Sequence, residues 1–309
     1  MNWNKFINGS VNFISNYLIN NHLESMILGI SGGIDSTIAA VLCSIAAKKT
    51  NTKLIGVSLM CSTNKQDECS AADLVGQAFC NEYYKENIQE PYEAISKFCI
   101  NSSATKGMST KISEGNIKAR LRMIYLWNLS GFKNGVTIDT DNKTEHELGF
   151  FTLMGDQNYL NPGLVYLWKT EVYELANFLK DDLNNQWHSE KYVNDEIARE
   201  YFLKNQALEA SINLIPTDGN GVSNSDCEQF GLDNYEQVDD VLKTMYYDTQ
   251  TNPDFKGFQE NPIRESEYIR LIDSYNEQGV DKVMILHQNT TYKRKELPIK
   301  PTREELELL

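Results

Sequence analysis

The 309-residue chain has no run approaching the ~18 consecutive apolar residues of a membrane-spanning helix, so no transmembrane segment is expected. Its opening residues, MNWNKFINGS, lack a basic patch followed by an apolar stretch, so no signal peptide is expected either. Cysteine occurs six times (Cys43, Cys61, Cys69, Cys80, Cys99, Cys227) but never as C-x-x-C. That spacing points to reduced thiols in a cytoplasm rather than to a disulfide framework. Only four histidines are present and they are scattered, which disfavours a Cys/His zinc site. Basic side chains are also in short supply: 29 Lys and Arg against 43 Asp and Glu give a net charge of −14. Such a surface repels a nucleic-acid backbone, and no nucleic-acid partner is expected. A phosphate-bearing ligand would therefore need a local basic pocket, oriented backbone N–H groups or a metal ion. What is present, 41% hydrophobic and 23% charged residues, is the balance of a globular protein able to bury a sizeable core.

Hydrophobic spacing organises the first half of the chain into alternating helices and strands. Trp3, Phe6, Ile7, Val11, Ile14, Tyr17 and Leu18 predict an amphipathic helix over 3–18, its stripe meeting core or a second subunit. Strands are predicted at 25–30, 53–59, 84–88 and 135–139, and helices at 34–48, 67–83, 91–100 and 114–129. Residues 102–110, small and polar, read as a loop. This alternation implies an α/β fold, a doubly wound parallel sheet flanked by helices, forming a single domain. Further helices are predicted at 169–180, 235–247 and 265–275, with a charged helical insertion at 181–210 and a Gly/Asn/Ser-rich loop at 214–231. In such sheets ligands bind beyond the carboxyl ends of the strands, which singles out Ser31–Ser36 and Thr140–Glu145.

Ser31-Gly-Gly-Ile-Asp-Ser36 is the sharpest feature. Gly32 and Gly33 allow a tight turn that aims N–H groups at a polyphosphate, while Ser31 and Ser36 add hydroxyls at a helix N-terminus. Asp35 beside a phosphate calls for an intervening cation, so Asp35 is a candidate Mg2+ ligand. The lysine of a γ-phosphate-hydrolysing P-loop is missing.

This loop resembles the pyrophosphate-binding loop of the ATP pyrophosphatase (PP-loop) superfamily, whose fold is adenine-nucleotide alpha-hydrolase-like. Further segments narrow the resemblance to the NAD synthetases: Glu114-Gly-Asn-Ile-Lys-Ala-Arg-Leu-Arg-Met123, Thr140-Asp-Asn-Lys-Thr-Glu145, Gly155-Asp156, Trp168–Ala176, Ile215–Gly219, Ser225-Asp226 and Tyr292-Lys-Arg294. The resemblance implies that Asp35 and Glu145 hold Mg2+. It places Ser31, Gly32, Gly33, Asp35, Ser36, Arg120, Thr140, Lys169 and Thr217 on ATP, with Asp35 and Lys169 as the catalytic pair. Asp156 and Lys293 fall on deamido-NAD, Lys293 within a tail that closes over the site. It also implies a homodimer whose subunits share the site, and ATP-dependent amidation of deamido-NAD by ammonia through an acyl-adenylate, releasing AMP and pyrophosphate. With the motifs beginning near residue 25, no attached glutaminase domain is expected.

The sequence departs from that pattern mainly on the acceptor side. Asp139 stands where the family has glycine, placing bulk and charge near the adenosine, and Leu160 replaces an acidic residue. Cys227 replaces a glutamate unless Glu228 serves instead, and Tyr292 replaces a histidine. A related adenylating or amidating enzyme with another acceptor is the alternative, and a degenerate nucleotide-binding protein is the third reading.

Overall fold

The structure is a computed structural model that describes residues 1–101, 111–191, 193–217, 221, 223–251, 263–295 and 300–306. The loop expected at 102–110 lies outside the described residues. The first half runs α1 (Trp3–Asn20), β1 (Ser25–Gly29), α2 (Ile34–Thr50), β2 (Lys53–Met60), α3 (Gln66–Phe79), β3 (Glu82–Asn87), α4 (Gln89–Asn101), α5 (Lys111–Phe132) and β4 (Gly135–Thr137). There follow α6 (Lys143–Leu148), α7 (Lys169–Glu190), α8 (Asp195–Asn213), α9 (Asp226–Phe230), α10 (Tyr235–Thr251), α11 (Glu265–Ser274) and α12 (Glu277–Asn289). No helix among the described residues is long and apolar enough to cross a membrane.

The four strands form one parallel sheet in the order β3-β2-β1-β4. Side chains alternate across it, as the two-residue period of a strand requires. Met26, Leu28 and Leu54 face the main core, built with Phe6, Ile14 and Leu18 of α1 and with α2, α7 and α8. Ile27, Ile55, Val57 and Leu59 face the opposite side, covered by Leu126 of α5. Both faces of β1 and β2 are thus buried, which is why those two strands read as largely apolar runs. A third cluster joins α6, α10, α11 and α12 around Phe230, Val238 and Leu271.

Several boundaries differ from expectation for local reasons. The helix expected to reach Tyr83 stops at Phe79. Asn81 exchanges two hydrogen bonds with Leu54, through its backbone N–H and its side-chain oxygen, and so starts β3 two residues before Tyr84. β4 is short, and Ile138 instead forms a parallel bridge to Leu160. Within the charged stretch 181–210, residues 181–190 end α7 and residues 195–210 form most of α8, and their inner face belongs to the main core. Ala207 and Leu208 are fully buried there, and Ser211 hydrogen-bonds Thr37 of α2 at 2.7 Å. Near the C-terminus Leu306 is also fully buried in that core. Its burial contributes about 2 kcal/mol and anchors the chain to the core at that point.

Candidate active site

Strand order reverses at β1: β2 and β3 extend to one side and β4 lies on the other. The segments leaving β1 and β4 therefore diverge at the carboxyl edge, opening the crevice where parallel α/β sheets bind ligands. A cavity of about 740 Å³ opens there, lined by Ser31, Gly33, Asp35, Ser36, Thr140 and Glu145, among others.

Gly32 does not line the cavity; it makes the turn possible. Its φ is +86°, and a Cβ there would sit 2.5 Å from the carbonyl oxygen of Glu68. Ser31 and Ser36 close the turn through their hydroxyls at 3.0 Å, and the Ser36 hydroxyl also lies 3.0 Å from Gly33 O as a donor. α2 starts directly after, so its first-turn N–H groups, which have no partner within the helix, make the position favourable to anions.

Three charged groups converge beside this turn. Lys169 Nζ donates to Asp35 Oδ2 at 2.5 Å and to Glu145 Oε1 at 3.1 Å, and the lysine side chain is only 4% exposed. Asn142, fully buried, connects the two carboxylates. Its amide donates to Asp35 at 2.9 Å, while its oxygen caps α6 by accepting the Glu145 N–H at 3.0 Å. Glu145 answers by accepting the Asn142 N–H, completing a capping box. Burial alone would lower the Lys169 ammonium, but Asp35 and Glu145 outweigh it and hold the ammonium well above its ordinary value. Burial pushes the Glu145 carboxyl up to about 8, against the pull of Lys169. Two hard-oxygen ligands that already share one cation suit a divalent ion such as Mg2+.

The remaining expected site residues divide. Thr217 lines the cavity and donates to buried Glu68 at 2.6 Å, tying its loop to the start of α3. Asp156 lines it and accepts the Thr152 N–H at 2.6 Å. Lys293 also lines it, donating to the carbonyls of Gly149 at 2.8 Å and Phe151 at 2.7 Å, which pins the tail onto the segment after α6. Arg120 is not brought into the cavity: it is exposed and donates to Leu153 O at 3.3 Å, while Arg122 lines the wall instead. Asp139 adjoins the cavity, between Ile138 and Thr140 on its wall. It is fully buried, does not line the cavity, and clamps the 158–161 loop by accepting from Asn158 N–H at 2.7 Å and the Asn161 amide at 2.6 Å. Leu160 likewise sits fully buried in the main core.

Sequence reasoning missed Asn142 as the link between the carboxylates and Asp141 and Arg122 as wall residues. The signal for Asn142 was available in the spacing Asn142-x-x-Glu145, which marks a capping box.

Comparison with known proteins identifies the family. The family model described as NAD synthase matches residues 6–297. An NH(3)-dependent NAD(+) synthetase of Campylobacter jejuni subsp. doylei is 34% identical over 183 residues, covering 58% of this chain and 69% of that protein. Among solved structures, an NMN synthetase from Francisella tularensis superposes with a TM-score of 0.66 at 24% identity, covering 97% of this chain and 98% of that one. An NH3-dependent NAD synthetase from Campylobacter jejuni gives 0.63 at 22% identity, covering 97% and 99%. With the doubly wound parallel sheet, the glycine turn and the paired carboxylates in place, the chain belongs to the NAD synthase family.

Proposed function

We propose that the protein is an ammonia-dependent ligase that uses ATP to convert the carboxylate of deamido-NAD into the amide of NAD. The observation that carries this reading is the meeting of Asp35 and Glu145 on one cation beside a phosphate-type turn, within a single cavity. A carboxylate oxygen of the acceptor attacks the α-phosphorus of ATP, the Pα–O–Pβ bond breaks, and pyrophosphate leaves. Ammonia then attacks the acyl carbon, the bond to AMP breaks, and the amide, AMP and a proton are released. Charge grows on the departing pyrophosphate, so stabilisation there lowers the barrier most.

Asp35 and Glu145 are the residues that would hold Mg2+, which supplies charge neutralisation at the phosphates when bound. Lys169 keeps its positive charge in this buried setting and can follow the same phosphates. Ser31, Gly33 and Ser36 cradle the pyrophosphate end, and Thr140 and Thr217 flank the nucleotide. Asp156 and Lys293, which also line the cavity, are assigned to the acceptor. Positioning and electrostatics account for the chemistry without a covalent nucleophile.

A second acceptor deserves assay because Leu160 offers the cavity no carboxylate and Cys227 stands in place of a glutamate. One matched structure is of an NMN synthetase, so the nicotinate mononucleotide is the first alternative. Incubating the protein with ATP, Mg2+, ammonium and either acceptor, and measuring AMP, pyrophosphate and amide, separates the readings. Amide from deamido-NAD is expected; AMP and amide only with the mononucleotide would move the assignment to that acceptor.

We also read the protein as a cytoplasmic homodimer. Ile124, Trp127 and Arg120 share one exposed face of α5, and Tyr159 and Tyr17 extend the aromatic edge from Trp127 with ring separations of 5.7 and 6.3 Å. A second copy packed on that face would cover the apolar patch and carry Arg120 toward the neighbouring site. Six cysteines without a C-x-x-C pair suit a reducing compartment, which fractionation of expressing cells would check.

A further inference from the structure

Glu145 is the third residue of α6 and Lys169 the first of α7, so their side chains meet only if the two helix starts are held in register. A third helix reaches both from behind the cavity wall. Asp239, in the second turn of α10, is 1% exposed and does not line the cavity. Its Oδ1 accepts from the Thr144 hydroxyl at 2.5 Å, and its Oδ2 accepts the Thr170 N–H at 2.9 Å. The Thr144 oxygen in turn accepts the Lys169 N–H at 2.8 Å.

One buried carboxylate therefore terminates a chain of hydrogen bonds that begins at the backbone of Lys169 and includes the first turns of both helices. First-turn N–H groups lack partners within their own helix, and a negative charge is favoured at a helix N-terminus. Asp239 answers both demands at once. The same helix also sets the other end of Lys169, since the Tyr235 ring, one turn before Asp239, lies 5.2 Å from Nζ.

We propose that Asp239 is a positioning residue: acting through Thr144 and Thr170, it fixes the separation of Glu145 and Lys169 and so shapes the cation site, without touching substrate. This rests on the reading of Asp35 and Glu145 as the metal carboxylates. The test measures Mn2+ binding to the full chain by calorimetry, with ATP turnover followed separately. Wild-type binding that is lost in Asp35→Asn is the baseline; its absence would overturn the metal-site reading and this inference with it. Given that baseline, Asp239→Ala should weaken Mn2+ binding about tenfold, the low end of the effect of losing an outer-shell partner, because Asp239 acts on Glu145 through its neighbour Thr144. Thr144→Val, which deletes one hydroxyl and keeps the shape, should weaken it severalfold, and Thr144→Ser should restore it. KM for the acceptor should stay within about twofold of wild type in all three, because the acceptor is not contacted. Wild-type Mn2+ affinity in folded Asp239→Ala or, should that variant fail to fold, in Thr144→Val would overturn the proposal while leaving the function itself standing.

Discussion

Lys169 pairs with both Asp35 and Glu145, and the arrangement explains why all three can be buried. Taking one partner away would leave uncompensated charge in a poorly solvated place, which is strongly destabilising. Asn142 adds the second constraint, because one amide side chain spans both carboxylate-bearing segments. His146, the residue after Glu145 in α6, offers a different kind of test. It stacks on Phe151, and its Nε2 has no partner among the described residues. Burial, reinforced by Lys300 and Arg294, pushes its pKa down to about 4. The unfolded chain, titrating near 6.5, therefore binds a proton that the folded one refuses between those values. Stability from this residue is complete above pH ~6.5 and is lost as pH falls toward 4, by ~2–3 kcal/mol. His146→Phe keeps the ring contact and removes the titration. Urea unfolding at pH 7 and pH 4.5 should show a smaller acid-induced loss in the variant than in the wild type; equal losses would contradict this account of His146.

At the scale of elements, motifs whose chemistry lies within a few consecutive residues were legible, and those assembled across the chain were not. The turn at Ser31–Ser36, Glu145 at the start of α6 and Lys169 at the start of α7 each carry their meaning locally. Arg120 and Arg122 illustrate the limit. They sit two residues apart on α5, so helix phase alone decides which one enters the cavity. Apolar residues on both sides of α5 hide that phase: Gly115, Ala119 and Leu126 face inward while Ile124, Trp127 and Phe132 remain exposed. Leu160 and Asp139 show the same limit for strands. Both stand at positions that the family resemblance assigned to ligand space, yet the bridge of Ile138 to Leu160 turns both into the interior. Asp239 had no local signal at all, since its two donors lie 95 and 69 residues away.

For the molecule as a whole, a net charge of −14 poses the problem of admitting two anionic nucleotides. The fold concentrates its answer at one edge of the sheet: a helix N-terminus, Lys169, Arg122 and Lys293 around a single cavity. The exposed apolar edge of α5 belongs to the same scale. Trp127 is 43% exposed beside Ile124 at 55%, and covering such an edge with a second copy removes apolar area from water. Light scattering after size exclusion should report a dimer for the wild type and a monomer for Trp127→Asp; a wild type that stays monomeric at micromolar concentration would remove the basis for a shared site. In the proposed reaction the acceptor carboxylate attacks the α-phosphorus of ATP, and deamido-NAD carrying 18O in that carboxylate reports whether it does. Mass spectrometry of the products should find one labelled oxygen in AMP and none in pyrophosphate; label in pyrophosphate, or amide formed with unlabelled AMP, would contradict the account.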